Sequence, residues 1–204
     1  MLFIAHRRNS AAALAQTPKE YGLEIDLRSI GSRLILQHDP YVDGEAFEAW
    51  LRGFEHGTLI LNVKEEGLEA RLLSLMYQQR IENFFLLDQS FPFLVKTARG
   101  GERRCAVRVS EYESFHTAMS LAGLVGWVWI DCFERFPLDR SQLIELQQTG
   151  FQTCLVSPEL QGRRDPQEIA ALALQFAEWN LAPTAVCTKL DFIPVWKSAL
   201  AGYG

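Results

Sequence analysis

The feature that most constrains the fold is the alternation of short apolar runs with stretches of helical periodicity. The runs predict strands at residues 2–6, 22–29, 33–39, 58–64, 83–88, 105–109, 126–131, 151–157 and 184–188. Apolar residues three and four positions apart predict helices at 44–54, 67–81, 114–124, 139–150 and 165–180. Such alternation is typical of parallel strands joined by helices.

Eight of these runs can serve as parallel strands, which favours a compact (β/α)8 barrel (a TIM barrel) over a doubly wound sheet. The 204 residues are few for this barrel, which typically has about 250. The ninth run, 33–39, follows 22–29 after a turn too short for a helical crossover. We therefore expect it to extend the second strand as a hairpin. The sequence shows no repeat and no linker, so residues 1–204 are expected to form a single α/β domain.

Composition excludes several classes of function. The formal net charge is −5 and no long basic run is present, which argues against a nucleic-acid-binding surface. No apolar stretch approaches the roughly 18 residues of a membrane span, and the first residues do not resemble a signal peptide. The four cysteines are isolated in apolar surroundings, which predicts buried free thiols. We expect a cytoplasmic protein.

Two carboxylates on the second predicted strand, Glu24 and Asp26, are the most informative residues. Because they are two positions apart, they lie on the same face of the strand. Two carboxylates held together repel each other unless a cation or a shared proton relieves them, and Mg²⁺ or Ca²⁺ suits oxygen ligands. The alternative interpretation is a solvated face on an edge strand.

Two histidines and two cations end neighbouring predicted strands. His6 and His38 can act as a general acid and a general base, although an isolated histidine in an apolar strand is more often a structural core residue. Arg7 and Lys64 supply positive charge for an anionic substrate, and arginine can make a forked contact with phosphate. In a (β/α)8 barrel, chemistry collects at these carboxyl ends of strands.

At these residues the sequence resembles the glycerophosphodiester phosphodiesterase family, within the phospholipase-C-like phosphodiesterase barrels. The family carries a His-Arg-Gly strand end, a Glu-x-Asp strand, an apolar strand ending in His-Asp and a Glu-x-Lys strand. The corresponding segments are AHRRN, GLEIDLRS, RLILQHDP and LNVKEE, in the same order and within roughly the first 65 residues.

This resemblance implies metal-assisted hydrolysis of a small soluble phosphodiester. It also implies a role for each matching residue: an acid–base pair of His6 and His38, phosphate contacts from Arg7 and Lys64, and one Mg²⁺ or Ca²⁺ ion held by Glu24, Asp26 and Asn62.

The chain departs from the family pattern in three ways. Arg8 replaces the glycine after His-Arg, and Asn62 replaces a glutamate that is normally a third metal ligand. An amide oxygen can bind Mg²⁺ or Ca²⁺, but it removes one negative charge, and Asp88 is a further candidate ligand nearby. Only 23 residues separate His38 from Asn62, so the substrate-covering insertion common in the family is missing.

Two other functions compete with a phosphodiesterase. One is a non-catalytic barrel that binds a phosphorylated ligand or a protein partner, which the presence of Arg8 and Asn62 favours. The other is a barrel enzyme, such as an isomerase, that uses Glu24 or Asp26 as a base without a metal. This last interpretation depends on analogy of fold alone.

Overall fold

Strands and helices alternate along most of residues 1–202, which are the residues that the computed structural model describes. The strands are β1 (Leu2–Ala5), β2 (Gly22–Ile30), β3 (Arg33–Leu36), β4 (Glu45–Ala46), β5 (Leu59–Val63), β6 (Phe84–Leu87), β7 (Ala106–Val109), β8 (Trp127–Ile130), β9 (Gln152–Val156) and β10 (Ala185–Thr188). The α-helices are α1 (Ala11–Gln16), α2 (Phe47–Leu51), α3 (Glu69–Gln78), α4 (Phe91–Arg99), α5 (Phe115–Met119), α6 (Arg140–Gln148), α7 (Pro166–Trp179) and α8 (Ile193–Ala201). Short 3-10 helices occupy Pro158–Gln161 and Leu190–Phe192.

All nine predicted strands and all five predicted helices are present, whereas α1, α4, α8 and the two-residue β4 were not predicted. Helix α1 has only six residues, which is too few for a clear apolar period. Helices α4 and α8 carry a proline in the first turn, where its missing N–H is tolerated.

The internal contacts of the chain divide it into two units. The N-terminal unit comprises Ala5–Ala106, and the C-terminal unit combines Met1–Ile4 with the chain from Val107 onward. The expectation of one domain over residues 1–204 stays a prediction, and its last two residues lie outside the described part of the chain.

In the N-terminal unit the strand order is β4-β3-β2-β5-β6. Strand β3 runs antiparallel to β2, which confirms the predicted hairpin extension. Strands β2, β5 and β6 are parallel, and the register places Asp26 beside Asn62 and Asn62 beside Leu87. The polar residues of neighbouring strands are therefore brought to one level of the sheet.

In the C-terminal unit the order is β1-β10-β9-β8-β7, and β8, β9 and β10 are parallel. The boundaries of α6 and α7 have local causes. Asp139 caps α6 in a reciprocal capping box with Gln142, and Asp165 caps α7. Gly150 follows α6 with a φ of 96°, a left-handed conformation that glycine adopts readily.

Strand β2 is buried on both faces. Leu23, Ile25 and Leu27 have no exposed surface, and neither do Glu24 and Asp26 between them. Burial of both faces is typical of parallel sheets covered by helices. The two carboxylates are therefore removed from bulk water, and the edge-strand alternative is wrong.

The cysteines fit the sequence prediction, since all four are buried free thiols. Burial raises the pKa of Cys105 to about 12 and also raises that of Cys132. Both are therefore protonated at neutral pH and poor nucleophiles. Among residues 1–202, none of the helices combines the length and the apolar character needed to cross a membrane.

Truncating a core aromatic of β6 should destabilise the fold strongly. Phe85 is completely buried, so we expect Phe85→Ala to lower the free energy of unfolding by about 3–5 kcal/mol through lost burial and a residual cavity. Chemical denaturation measures the change. Tyr77→Ala is the matched control, because Tyr77 is 86% exposed and its loss should cost at most about 0.5 kcal/mol. Equal effects of the two substitutions would contradict the buried position of β6.

Candidate active site

The carboxylate of Glu24 lies at the centre of a polar cluster in the N-terminal unit. Its Oε2 accepts a hydrogen bond of 2.7 Å from the main-chain N–H of Arg7, and its Oε1 accepts one of 2.8 Å from the Asn62 side-chain amide. The imidazole Nε2 of His6 lies 3.7 Å from Oε2. Residues from the ends of β1 and β5 thus meet one side chain of β2.

Asp26 has different partners on its two oxygens. The side chain of Asn9 donates to Oδ2 at 2.8 Å and accepts from the main-chain N–H of Asp26 at 2.9 Å. The Arg7 Nε lies 3.6 Å from the same Oδ2. The other oxygen, Oδ1, lies 3.4 Å from the Lys64 ammonium and accepts no hydrogen bond. Asn9 was not predicted as a residue of the site. The only feature that could have pointed to it is an asparagine side chain shortly after the first strand.

Burial makes the carboxylate pair electrostatically unfavourable. Desolvation and the neighbouring charge of Asp26 raise the pKa of Glu24 to about 7. The hydrogen bonds from Asn62 and from the Arg7 main chain, together with the charge of Lys64, act in the opposite direction. The pair is therefore poised to take up a proton or a cation near neutral pH.

Two residues beside this cluster have left-handed backbone conformations that are uncommon outside glycine. Arg7 has a φ of 52° and Asp88 a φ of 59°. Arg7 directs its main-chain N–H to Glu24, and Asp88 accepts a hydrogen bond of 3.0 Å from Lys64. Unusual backbone conformations of this kind concentrate at functional sites.

His38 lies close in the chain to this cluster but has its own side-chain partner. The N–H of the preceding residue, Gln37, bonds the main-chain oxygen of Asp26 at 3.1 Å. The His38 Nδ1 lies 2.8 Å from Asp39 Oδ1, and this hydrogen bond lowers the pKa of Asp39. The structure thus joins His6, but not the His38 side chain, directly to the carboxylate pair.

Arg8 has a structural role instead of extending the cationic surface. Its guanidinium donates to Thr17 Oγ1 at 3.0 Å and to the main-chain oxygen of Ala13 at 2.9 Å. These bonds secure the end of α1. The indole of Trp50 donates to the main-chain oxygen of Arg8 at 3.0 Å. The guanidinium beside Asp26 is therefore that of the neighbouring Arg7.

The oxygens of this cluster fit a hard divalent cation. Asp26 Oδ1 and Asn62 Oδ1 are buried and accept no hydrogen bond, an unfavourable state that a cation would relieve. Within residues 1–202, no group of three or more His, Cys, Asp and Glu residues is placed to hold a metal. A cation beside Glu24 and Asp26 would therefore need the neutral amide of Asn62 as a ligand.

Carboxylates at strand ends are not all available for chemistry. In the C-terminal unit, buried Glu159 accepts hydrogen bonds from Thr188 Oγ1 at 2.6 Å and from the Lys189 N–H at 3.0 Å, and the Ser157 hydroxyl also donates to it. Such a carboxylate joins the ends of β9 and β10. Glu24 differs because desolvation and the neighbouring charge of Asp26 raise its pKa.

Two solved structures resemble the chain over almost its whole length. A candidate glycerophosphoryl diester phosphodiesterase from Agrobacterium tumefaciens strain C58 gives a TM-score of 0.67 at 11% identity, covering 99% of this chain and 98% of that one. A glycerophosphodiester phosphodiesterase from the same strain gives 0.65 at 14% identity, covering 99% and 100%. No protein-family model and no curated protein sequence matches the chain.

These likenesses show the fold, which is an α/β fold of the (β/α)8 barrel type. More narrowly, it is the fold of the glycerophosphodiester phosphodiesterases, so the resemblance found in the motifs extends to the three-dimensional structure.

The raised pKa of Glu24 predicts a pH dependence of stability. Between its ordinary value of 4.5 and about 7, the folded protein holds a proton at Glu24 that the unfolded chain has lost. Protonated Glu24 therefore gives its full contribution to the free energy of unfolding below pH 4.5. This contribution is lost, and the protein becomes less stable, as the pH rises towards 7. Glu24→Gln should remove this component of the pH dependence.

Denaturation of both proteins in EDTA across this pH range measures the difference. The difference in unfolding free energy between wild type and Glu24→Gln should change with pH, by up to about 1.4 kcal/mol for each unit of pKa shift. A constant difference would show that the pKa of Glu24 is ordinary.

Proposed function

We propose that the chain is a metal-dependent phosphodiester hydrolase, similar to glycerophosphodiester phosphodiesterases, that acts on a small soluble phosphodiester. The observation that carries the proposal is the buried pair of Glu24 and Asp26, with a histidine and two cations placed around it. The shared fold supports the same reaction class. The four buried free thiols suit a reducing compartment, which supports the predicted cytoplasmic location.

In this proposal Glu24, Asp26 and Asn62 hold one Mg²⁺ or Ca²⁺ ion. Such an ion, when bound, offsets negative charge on phosphate oxygens and favours ionisation of an attacking hydroxyl. The amide of Asn62 contributes an oxygen without charge, so the carboxylate pair supplies the electrostatic attraction.

Arg7 and Lys64 bind the phosphate. The Arg7 side chain is 46% exposed, so its guanidinium can make a forked pair of hydrogen bonds to a phosphate that arrives from solvent. Lys64 is 16% exposed and adds a second positive charge beside Asp26. Together they offset the charge of the substrate and orient its phosphorus for attack.

His6 and His38 divide the two proton transfers. One imidazole takes the proton of the attacking hydroxyl, from water or from a neighbouring hydroxyl of the substrate. The new P–O bond forms as the bond to the leaving oxygen breaks, and the other imidazole protonates that oxygen. The contact of Asp39 with His38 Nδ1 orients this ring.

One specific observation favours a second function, a non-catalytic barrel that binds a phosphorylated ligand. Asn62 already donates its N–H to Glu24, and Lys64 and Arg7 lie against Asp26. The chain thus offsets part of the charge of the carboxylate pair with its own residues. Anion binding by Arg7 would survive in such a protein without turnover.

Hydrolysis of bis(p-nitrophenyl) phosphate tests the proposed activity. The activity should disappear in EDTA and return with Mg²⁺ or Ca²⁺. His38→Ala should lower the rate about 10²–10⁴-fold through loss of proton transfer. The melting temperature should change little, because the His38 side chain is 39% exposed. His116→Ala is the matched control, since His116 lies exposed on α5 and should leave the rate unchanged.

Binding of phosphate esters without turnover at any divalent ion tested would favour the second function. Activity that persists in EDTA would rule out the metal-dependent reaction.

Addition of Mg²⁺ or Ca²⁺ should stabilise the folded protein. An ion present at 100 times its dissociation constant raises the free energy of unfolding by about 2.7 kcal/mol. Asp26→Asn should abolish the stabilisation, because it removes the charge of a proposed ligand. Asp43→Asn removes the same charge at an exposed site and should retain the stabilisation. Thermal denaturation at increasing ion concentration measures both, and an equal response of the two variants would contradict the proposed ligands.

A further inference from the structure

The ammonium group of Lys64 lies between two carboxylates and interacts unequally with them. It donates a hydrogen bond to Asp88 Oδ2 at 3.0 Å, whereas Asp26 Oδ1 lies 3.4 Å away and accepts no hydrogen bond. The Lys64 side chain is mostly buried, so its charge acts through a poorly solvated medium, in which such contacts matter more than at a surface.

We propose that Asp88 is a positioning residue that takes the hydrogen bond of the Lys64 ammonium and so leaves Asp26 Oδ1, 3.4 Å from that ammonium, open to a cation. The part of this inference that concerns a divalent ion rests on the proposed function. The part that concerns the position of Lys64 does not.

The position of Lys64 matters because only one carboxylate oxygen of Asp26 is available to bind a cation. Its Oδ2 already accepts a hydrogen bond from Asn9 and lies near Arg7. If Lys64 moved onto Oδ1, both oxygens would be occupied by donors of this chain. The lysine charge would also repel an incoming cation more strongly at the shorter distance. Asp88 competes for the same ammonium and prevents this.

The backbone at Asp88 places its carboxylate for this role. Asp88 directly follows Leu87, the residue of β6 that pairs with Asn62, and it turns out of the strand with a φ of 59°. Aspartate and asparagine tolerate this left-handed conformation better than other residues with a side chain. Asp88→Asn is therefore the substitution of choice, since it removes the charge and preserves the backbone preference.

Isothermal titration of the full chain with MgCl₂ or CaCl₂ tests the inference. Asp88→Asn should weaken ion binding by about 10–100-fold, the range seen when a partner of a metal-ligating group is lost. Asp43→Asn, the charge-matched control, should bind within about twofold of wild type. Lys64→Met added to Asp88→Asn should restore most of the affinity, because no ammonium then competes for Asp26. Melting temperatures verify that every variant is folded.

Two results would overturn the inference. The first is an Asp88→Asn variant that binds the ion as tightly as wild type does. The second is a loss of ion affinity in Asp88→Asn that the added Lys64→Met does not restore. This second result would mean that Asp88 acts on the ion directly or only through the fold.

A crystal structure of Asp88→Asn grown without divalent ions separates this inference from the proposed function. The Lys64 Nζ should leave residue 88 and approach Asp26 Oδ1 from 3.4 Å to about 2.8 Å, the length of a charge-assisted hydrogen bond. An unchanged Lys64 position would overturn the positioning role of Asp88. If wild-type protein binds neither ion, the proposed metal dependence fails, while this structure still decides the role of Asp88.

Discussion

The mutual repulsion of two carboxylates without access to water governs the structure around the site. Glu24 and Asp26 project from one strand and have no exposed surface, so each needs donors or cations from neighbouring segments. The main chain at Arg7, the amides of Asn9 and Asn62, and the ammonium of Lys64 supply them. The segments that follow β1 and β5 are thereby tied to β2 by polar contacts.

Much of the fold was predictable because its periodicity is local. Parallel strands buried on both faces appear as apolar runs, and the intervening helices show their own spacing. The same locality made Glu24 and Asp26 predictable as neighbours on one face. Their relation to Asn62 was implied by the resemblance to the family, and the register of β2 and β5 places Asp26 beside Asn62.

The rest of the site depended on tertiary contacts that no local pattern encodes. Asn9 contacts Asp26 across 17 positions of the chain, and its place after the first strand does not identify Asp26 as its partner. Arg8 replaces the glycine of the family pattern beside two predicted site residues, yet its guanidinium bonds Thr17 and the main chain of Ala13 at α1. Asp88 could be named as a nearby carboxylate, but its hydrogen bond with Lys64 depends on a turn of the backbone that the sequence does not reveal.

The double burial of β2 has a consequence for how this chain can change over time. Its aliphatic and acidic side chains alternate along one strand, so adding or deleting a single residue before Glu24 would reverse them. Leu23, Ile25 and Leu27 would then face the polar cluster. The carboxylates of Glu24 and Asp26 would face the apolar core. An insertion or deletion within this strand should therefore cost far more stability than one in a connecting loop.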